Sequence, residues 1–457
     1  MDENKHLLTA LKREYRILQF LCYISWSANV IFMIFGVVYL YDLGISLSGI
    51  FLLNIIVIVV STITSMIINN KSDKIKKRKV FMVFSYALRT IGIFLLAIGN
   101  SIILFIAYYI ISSLLNPLSF DVSMIYEIGE KISILENRVN SKPLQKNAST
   151  RYYLKYRMFG SLGWALMAPL AGFSILQLNS LNIEIPFLFP NLFGYRFFLY
   201  LAGFIYLFTT VIFSRIYKEN MYERVNISLP DSKGYFKDKK TQFNSKIRGN
   251  KALIAPSLLL LLISMFLFQA GASLFQTPYG IFMKEFSSGN LFLVGISYFF
   301  SAILEMPLFL LAYKIINLKN YQTCLFISFL LEITRVSLTI MVIPVGMAIL
   351  VLPLQMMNSF SLRWPSLAHG LVIEAPKRKA STVNLNLVLQ KAGTFFGSIL
   401  GSIISSLVVG IASFSYLFTL SLVFLFATIM LFGLGHFFLQ RKIKKQNAST
   451  ILSNDSK

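Results

Sequence analysis

The chain is short of charge. Charged residues fill 14% of its 457 positions, and acidic ones are scarcest, 19 Asp and Glu beside 43 Lys and Arg. A soluble protein carries about 25% charged residues, so an ordinary water-soluble domain is excluded. Cysteine is nearly absent. Cys22 and Cys324 each sit in an apolar run, which excludes a disulfide framework and a cysteine metal cluster. The three histidines, His6, His369 and His436, are scattered and lack metal-ligand spacing. A membrane enzyme needs a catalytic cluster at one membrane face, and none is legible, so no enzyme activity and no cofactor are expected. The period-two alternation of a β-barrel strand is missing too. Residues 1–16 are polar and charged and no small-residue cleavage site follows the first apolar run, so no cleavable leader is expected.

What is abundant is apolar sequence, 56% of the chain, with a mean hydropathy of +0.67. It comes in recurring runs of roughly 20 residues, the length of helix that crosses a ~30 Å hydrocarbon core. Backbone in lipid must satisfy its own hydrogen bonds, so such runs are helices. The runs predict an all-α integral membrane protein with twelve spans, at about 17–41, 47–69, 80–98, 101–126, 157–177, 197–215, 252–283, 291–313, 321–341, 343–370, 382–410 and 413–438.

The net charge of +24 is a topology signal. Most Lys and Arg fall in the N-terminus, the even-numbered loops and the C-terminal tail; in the loops of the other side stand only Arg196 and Lys284. This is the positive-inside pattern. It places both termini in the cytoplasm of a multi-pass protein of the cell membrane, with the lipid bilayer as partner and no nucleic acid. The Asn-x-Ser sequons at Asn147, Asn226, Asn447 and Asn454 lie on the cytoplasmic side and are expected to stay unglycosylated.

The long polar segment 216–251 divides the chain into an N-terminal six-helix bundle, 1–215, and a C-terminal one, 252–438, followed by a cytoplasmic tail, 439–457. Each half has a short basic loop after its second span, Lys71 to Lys79 and Lys314 to Asn320, and an arginine in its third, Arg89 and Arg335. Weak internal symmetry of this kind marks transporters built from repeats, with substrate held near the midplane between the halves. The segments 127–156 and 178–196 are long for loops, and either could hold a short amphipathic helix.

Ionisable residues inside spans carry the site expectations. They are Arg89, Asp121, Arg157, Glu305, Glu332, Arg335, Arg363 and Lys391. A charge at the bilayer centre costs at least ~2.5 kcal/mol on insertion scales, so each needs a bundle interior, a wet cavity or a partner. Asp121 and Arg157, on adjacent spans, form either a substrate-binding pair or a packing salt bridge. Glu305 is a proton carrier or a carboxyl bonded to a neighbouring helix or to the Pro307 kink. Glu332 and Arg335, three apart, pair with each other. Arg363 sits where it could snorkel, and Lys391 is free for an interhelical or substrate role. Trp26 and Trp164 are core residues or stacking platforms for a sugar or base.

The stretch Arg157-Met-Phe-Gly-Ser-Leu-Gly-Trp164 resembles the fifth helix of the lactose permease-like (oligosaccharide/nucleoside–proton symporter) group of the major facilitator superfamily. Pro117-Leu-Ser-Phe-Asp121 with Gly129-Glu130 resembles that group's fourth helix. Ser72-Asp73-Lys74 with Lys77-Arg78-Lys79 is similar to the superfamily's cytoplasmic gating motif, with Asn69 in place of its leading glycine. Glu305-Met-Pro307 is similar to a Glu-x-Pro of the eighth helix. The resemblance implies twelve helices in two pseudo-symmetric halves and alternating access of a small neutral hydroxylated solute, a sugar or nucleoside, in symport with protons. It implies substrate contacts from Asp121, Arg157, Trp164 and Lys391, proton coupling through Glu305 and Arg335, and gating by Asp73. A monomer is the expected state. The His and Glu of the group's tenth helix are Gln355 and Asn358 here, and its seventh-helix aspartates have no counterpart near Gly271 to Gln276. The competing expectation is a drug or metabolite exporter on the same fold.

Overall fold

The computed structural model describes residues 2–75, 78–114, 117–140, 148–181, 183, 191–217, 251–315, 321–363, 380–408 and 411–455, and these are helical with short turns between. In the N-terminal half, α1 (Asp2–Val30) runs through a π turn, Ile31–Phe35, into α2 (Gly36–Asp42). α3 (Leu47–Ile75), α4 (Lys79–Ile98), α5 (Ile102–Ser113), α6 (Pro117–Asn140), α7 (Ala148–Ser180) and α8 (Phe193–Ile216) follow. The C-terminal half holds α9 (Lys251–Gln276), α10 (Tyr279–Phe286), α11 (Leu291–Ile315) and α12 (Tyr321–Val342). After short 3₁₀ turns come α13 (Val351–Leu354), α14 (Met356–Asn358), a π turn at Ser359–Arg363, α15 (Ala380–Leu407) and α16 (Ile411–Asp455). Among the described residues eight helices are long and apolar enough to cross a membrane, and shorter apolar ones lie at Ile102–Ser113 and Ala348–Ser361.

Several helices outrun the apolar spans. α6 and α7 take up much of the expected 127–156 loop, and the backbone of α16 continues through most of the expected tail. Helical hydrogen bonding does not stop where hydropathy falls; charged side chains simply turn to water and to each other. Arg78 pairs with Glu127 at 2.9 Å and Lys12 with Glu136 at 2.6 Å. The tenth expected span is the reverse case. Its described part is broken into short pieces around Pro344, Gly346 (φ +72°) and Pro353, because proline removes an intrahelical donor and positive φ ends a right-handed helix. Large apolar side chains such as Ile103, Met341, Leu407 and Met430 point outward, as a lipid-facing surface requires.

Among the described residues the halves meet chiefly along α3 against α15 and α7 against α11. The first is polar. Ser48 meets Ser402 at 2.9 Å, Asn54 Nδ2 donates to Ser398 Oγ at 3.0 Å, and Lys391 Nζ donates to Ser61 Oγ at 2.9 Å. The second depends on absent side chains. A Cβ on Gly295 would fall 2.3 Å from the Ala168 carbonyl oxygen, and one on Gly172 would fall 2.3 Å from that of Leu291. Only glycine lets the backbones approach this closely.

The two basic residues that break the charge asymmetry both have structural partners at the face opposite the termini. Lys284 pairs with Asp42 across the halves, and Tyr195 Oη donates to the same carboxylate at 2.8 Å. Arg196, 0% exposed, donates to the carbonyls of Ala97 (2.6 Å), Gly99 (3.3 Å) and Asn191 (3.0 Å), and to the side chains of Asn191 and Asn100. It ties the α4–α5 turn to the start of α8. Arg196→Ala leaves several buried acceptors unsatisfied at about 1–3 kcal/mol each. The expected result is at least ~3 kcal/mol of destabilisation, seen as a lower thermal midpoint of the detergent-purified protein; an unchanged midpoint would show that the clamp contributes nothing.

Candidate functional site

The N-terminal wall of the site comes from one face of α7. Arg157, Ser161 and Trp164 are spaced i, i+4, i+7 and so line up on that face. α1 lies close beside it: a Cβ on Gly163 would fall 2.2 Å from the Tyr23 carbonyl oxygen. This approach brings Trp26 under Arg157, with Cζ 4.3 Å from the ring centroid, and sets the Trp26 and Trp164 rings 5.8 Å apart. A guanidinium over an indole face is held by the ring quadrupole without using its N–H donors. Arg157 is half-buried and makes no hydrogen bond or ion pair among the described residues.

From the same face Ser161 reaches the other half. Its Oγ donates to Glu305 Oε2 on α11 at 2.5 Å, and Glu305 is 5% exposed. A short hydroxyl–carboxylate contact of this kind is charge-assisted and among the stronger hydrogen bonds. Arg157 lies within the electrostatic range of the Glu305 carboxylate.

In the C-terminal half, α12 carries a buried hydrogen-bonded network. Arg335, 1% exposed, grips Glu332 with Nε at 3.0 Å and Nη2 at 2.5 Å. Its Nη1 donates to Gln355 Oε1 at 2.9 Å, and Cζ stands 4.6 Å from the Phe275 ring centroid. Ser361 Oγ donates to Glu332 as well. Asn358 Nδ2 donates to Ser301 Oγ at 2.6 Å, and Gln276 Nε2 approaches Asn358 Oδ1 at 3.5 Å. The two amides at the tenth-helix positions thus serve as hydrogen-bonding partners rather than titrating groups.

Arg157, Trp164 and Glu305 are therefore gathered in one place. Lys391 stands on the other seam, bonded to Ser61. Arg335 is committed to Glu332 and Gln355 and has no bond to Glu305. Arg89 lies apart, 5.4 Å from the Phe32 ring centroid and 5.8 Å from that of Tyr206. The side chains of Asp73, Asp121 and Arg363 lie outside the described residues, although their backbone is helical. The sequence reading missed Ser161 and Ser61 and did not join Trp26 to Arg157. For Ser161 the signal was present in its i+4 spacing from Arg157. For the other two, separated from their partners by long stretches of chain, no local signal exists.

The model of the MFS_1 like family matches residues 14–420. No curated protein matches the chain in sequence. Among solved structures the fold is similar to that of the nucleoside transporter NupG, at 14% identity over 92% of this chain and 99% of that one, with a TM-score of 0.62. It is similar to a structure from a study of substrate recognition in proton dependent oligopeptide transporters, at 12% identity over 94% and 100%, TM-score 0.63. It is also similar to a bacterial homolog of the human lysosomal transporter Spinster in an inward-facing, unoccupied conformation, at 12% identity over 96% and 98%, TM-score 0.59.

Proposed function

Because the chain belongs to the MFS_1 like family, we propose that it is a secondary active transporter that moves a small hydroxylated solute, a sugar or nucleoside in kind, by alternating access in symport with protons. The reading rests on one observation above the others: the Ser161–Glu305 hydrogen bond joins the two halves beside an arginine fork and a pair of tryptophans. Arg157 offers planar N–H donors to solute oxygens, Trp164 an apolar face for a ring, and Lys391 a second donor from the opposite half; Asp121 completes the hydroxyl-binding set. Arg335 fixes the packing around Glu332 and tunes the field of the half. Asp73 serves the gate at the terminal face. The similar fold of a nucleoside transporter and of proton dependent transporters supports the assignment.

The chemistry of coupling follows from the bond itself. An ionised Glu305 is acceptor-only and holds the Ser161 hydroxyl across the seam; a protonated one must place its own proton and is a poorer acceptor. Proton occupancy and the contact between the halves are then linked. With both termini cytoplasmic, the face closed by Asp42, Lys284 and Tyr195 is the outer one, and the protein acts in the cell membrane as a monomer.

The test is uptake into proteoliposomes of labelled sugars and nucleosides, with and without an inward proton gradient. Gradient-driven accumulation of one solute is the expected result. Exchange without accumulation would remove the proton from the reading, and no movement of any member would overturn it.

A further inference from the structure

The positive-inside bias keeps basic residues away from the face opposite the termini, and the two that break it are held very differently. Arg196 presents its planar fork to backbone carbonyls and amide side chains of its own half. Lys284, near the end of α10, pairs with Asp42 at the end of α2, and that carboxylate belongs to the other half. The pair is largely buried, with the Lys284 side chain 18% and the Asp42 side chain 15% exposed. The Lys284 ammonium also stands 5.9 Å from the Tyr41 ring centroid. Beside the pair the contact is apolar: a Cβ on Gly280 of α10 would lie 3.6 Å from Val38 Cγ2 and 3.9 Å from Ile34 Cγ2.

The two sides of this pair are built unequally. Asp42 is fixed from within its own half: Tyr195 Oη donates to Oδ2 at 2.8 Å, while Oδ1 takes Lys284. The Tyr195 ring centroid lies 5.7 Å from that of Tyr39, and the Tyr39 ring in turn lies 5.5 Å from Arg196 Cζ. An acceptor mounted this way keeps a hydrogen bond when Lys284 departs, so parting the halves leaves no orphaned carboxylate. The donor is a lysine, a strongly hydrated point charge on a flexible stem, where an arginine would engage through a rigid fork. Desolvation offsets much of the attraction in a largely buried ion pair, although removing one partner alone is costly. These are the properties of a contact that is made and broken rather than of a permanent brace. Resting on the alternating-access reading above, we propose that Asp42 and Lys284 form a reversible latch that holds the face opposite the termini closed, with Tyr195 as the positioning residue for Asp42.

A buried reporter thiol tests the latch without any solute, so its outcome is separate from that of the uptake assay. Val38 is 0% exposed and faces α10 across the contact. In the full-length, detergent-purified protein, Val38→Cys is expected to react slowly with a water-soluble maleimide, read site by site from peptide mass. Adding Asp42→Asn or Lys284→Gln should speed that reaction about ten-fold or more, the scale of stripping one partner from a largely buried ion pair. Lys284→Arg keeps the charge and should stay slow. The native thiol of Cys324, buried within the C-terminal half, reports the rest of the fold and should stay slow in every variant. Unchanged Val38→Cys labelling in both Asp42→Asn and Lys284→Gln would overturn the latch and leave the transport reading to the uptake assay. A rise that extends equally to Cys324 would show loosening of the whole bundle and overturn the latch in favour of a structural brace. Fast labelling in Lys284→Arg would show that charge is not what holds the face closed and would overturn it as well.

Discussion

Glu305→Gln is expected to abolish proton-driven accumulation. The substitution keeps the shape of the side chain and an oxygen to accept from Ser161, so the contact between α7 and α11 has no steric reason to fail. What it removes is the ability to gain and lose a proton. In the proposed mechanism the proton boards at this carboxyl; Arg335 is held by Glu332 and Gln355, and the amides Gln355 and Asn358 cannot titrate. The internal-to-external solute ratio under an inward gradient should therefore fall to one. Solute-for-solute exchange should persist at a measurable rate, because binding and the movement of the halves need no net proton transfer. The pH dependence of uptake should flatten with it. Accumulation that survives in Glu305→Gln would place the proton elsewhere and reduce Glu305 to an interhelical bond.

Arg157→Lys is expected to cut uptake efficiency roughly ten- to hundred-fold. The charge is kept, so any loss reports geometry. Lysine cannot present two parallel N–H groups in a plane, and its ammonium does not lie flat on an indole as the guanidinium does on Trp26. Losing one charge-assisted hydrogen bond to the solute, at about 1.5–3 kcal/mol, gives that range. The fall should appear in the concentration dependence of uptake, with the protein still inserted and monodisperse. An Arg157→Lys variant with wild-type kinetics would show that the residue contributes charge alone.

The two expectations differ in how they could be reached. That Arg157 and Trp164 share a face is written in their spacing on one helix, and a resemblance to known sequences pointed to them before any coordinates. That Glu305 meets Ser161 is different: the partners are 144 positions apart and on separate halves. The pairing expected between Glu332 and Arg335, three apart on one helix, is present. The resemblance implied that Arg335 works together with Glu305; the bonds of Arg335 go to Glu332 and Gln355.

The sequence by itself determined the membrane environment and the all-helical class, because these depend on local quantities: the length of apolar runs and the cost of unpaired backbone in lipid. Only the tertiary structure decided which donors meet which acceptors across the seams. Those choices depend on how closely two helices approach. Gly163, Gly172 and Gly295 set that approach through backbone contacts with residues far along the chain, and an ångström there decides whether Ser161 reaches Glu305 and whether Trp26 lies beneath Arg157.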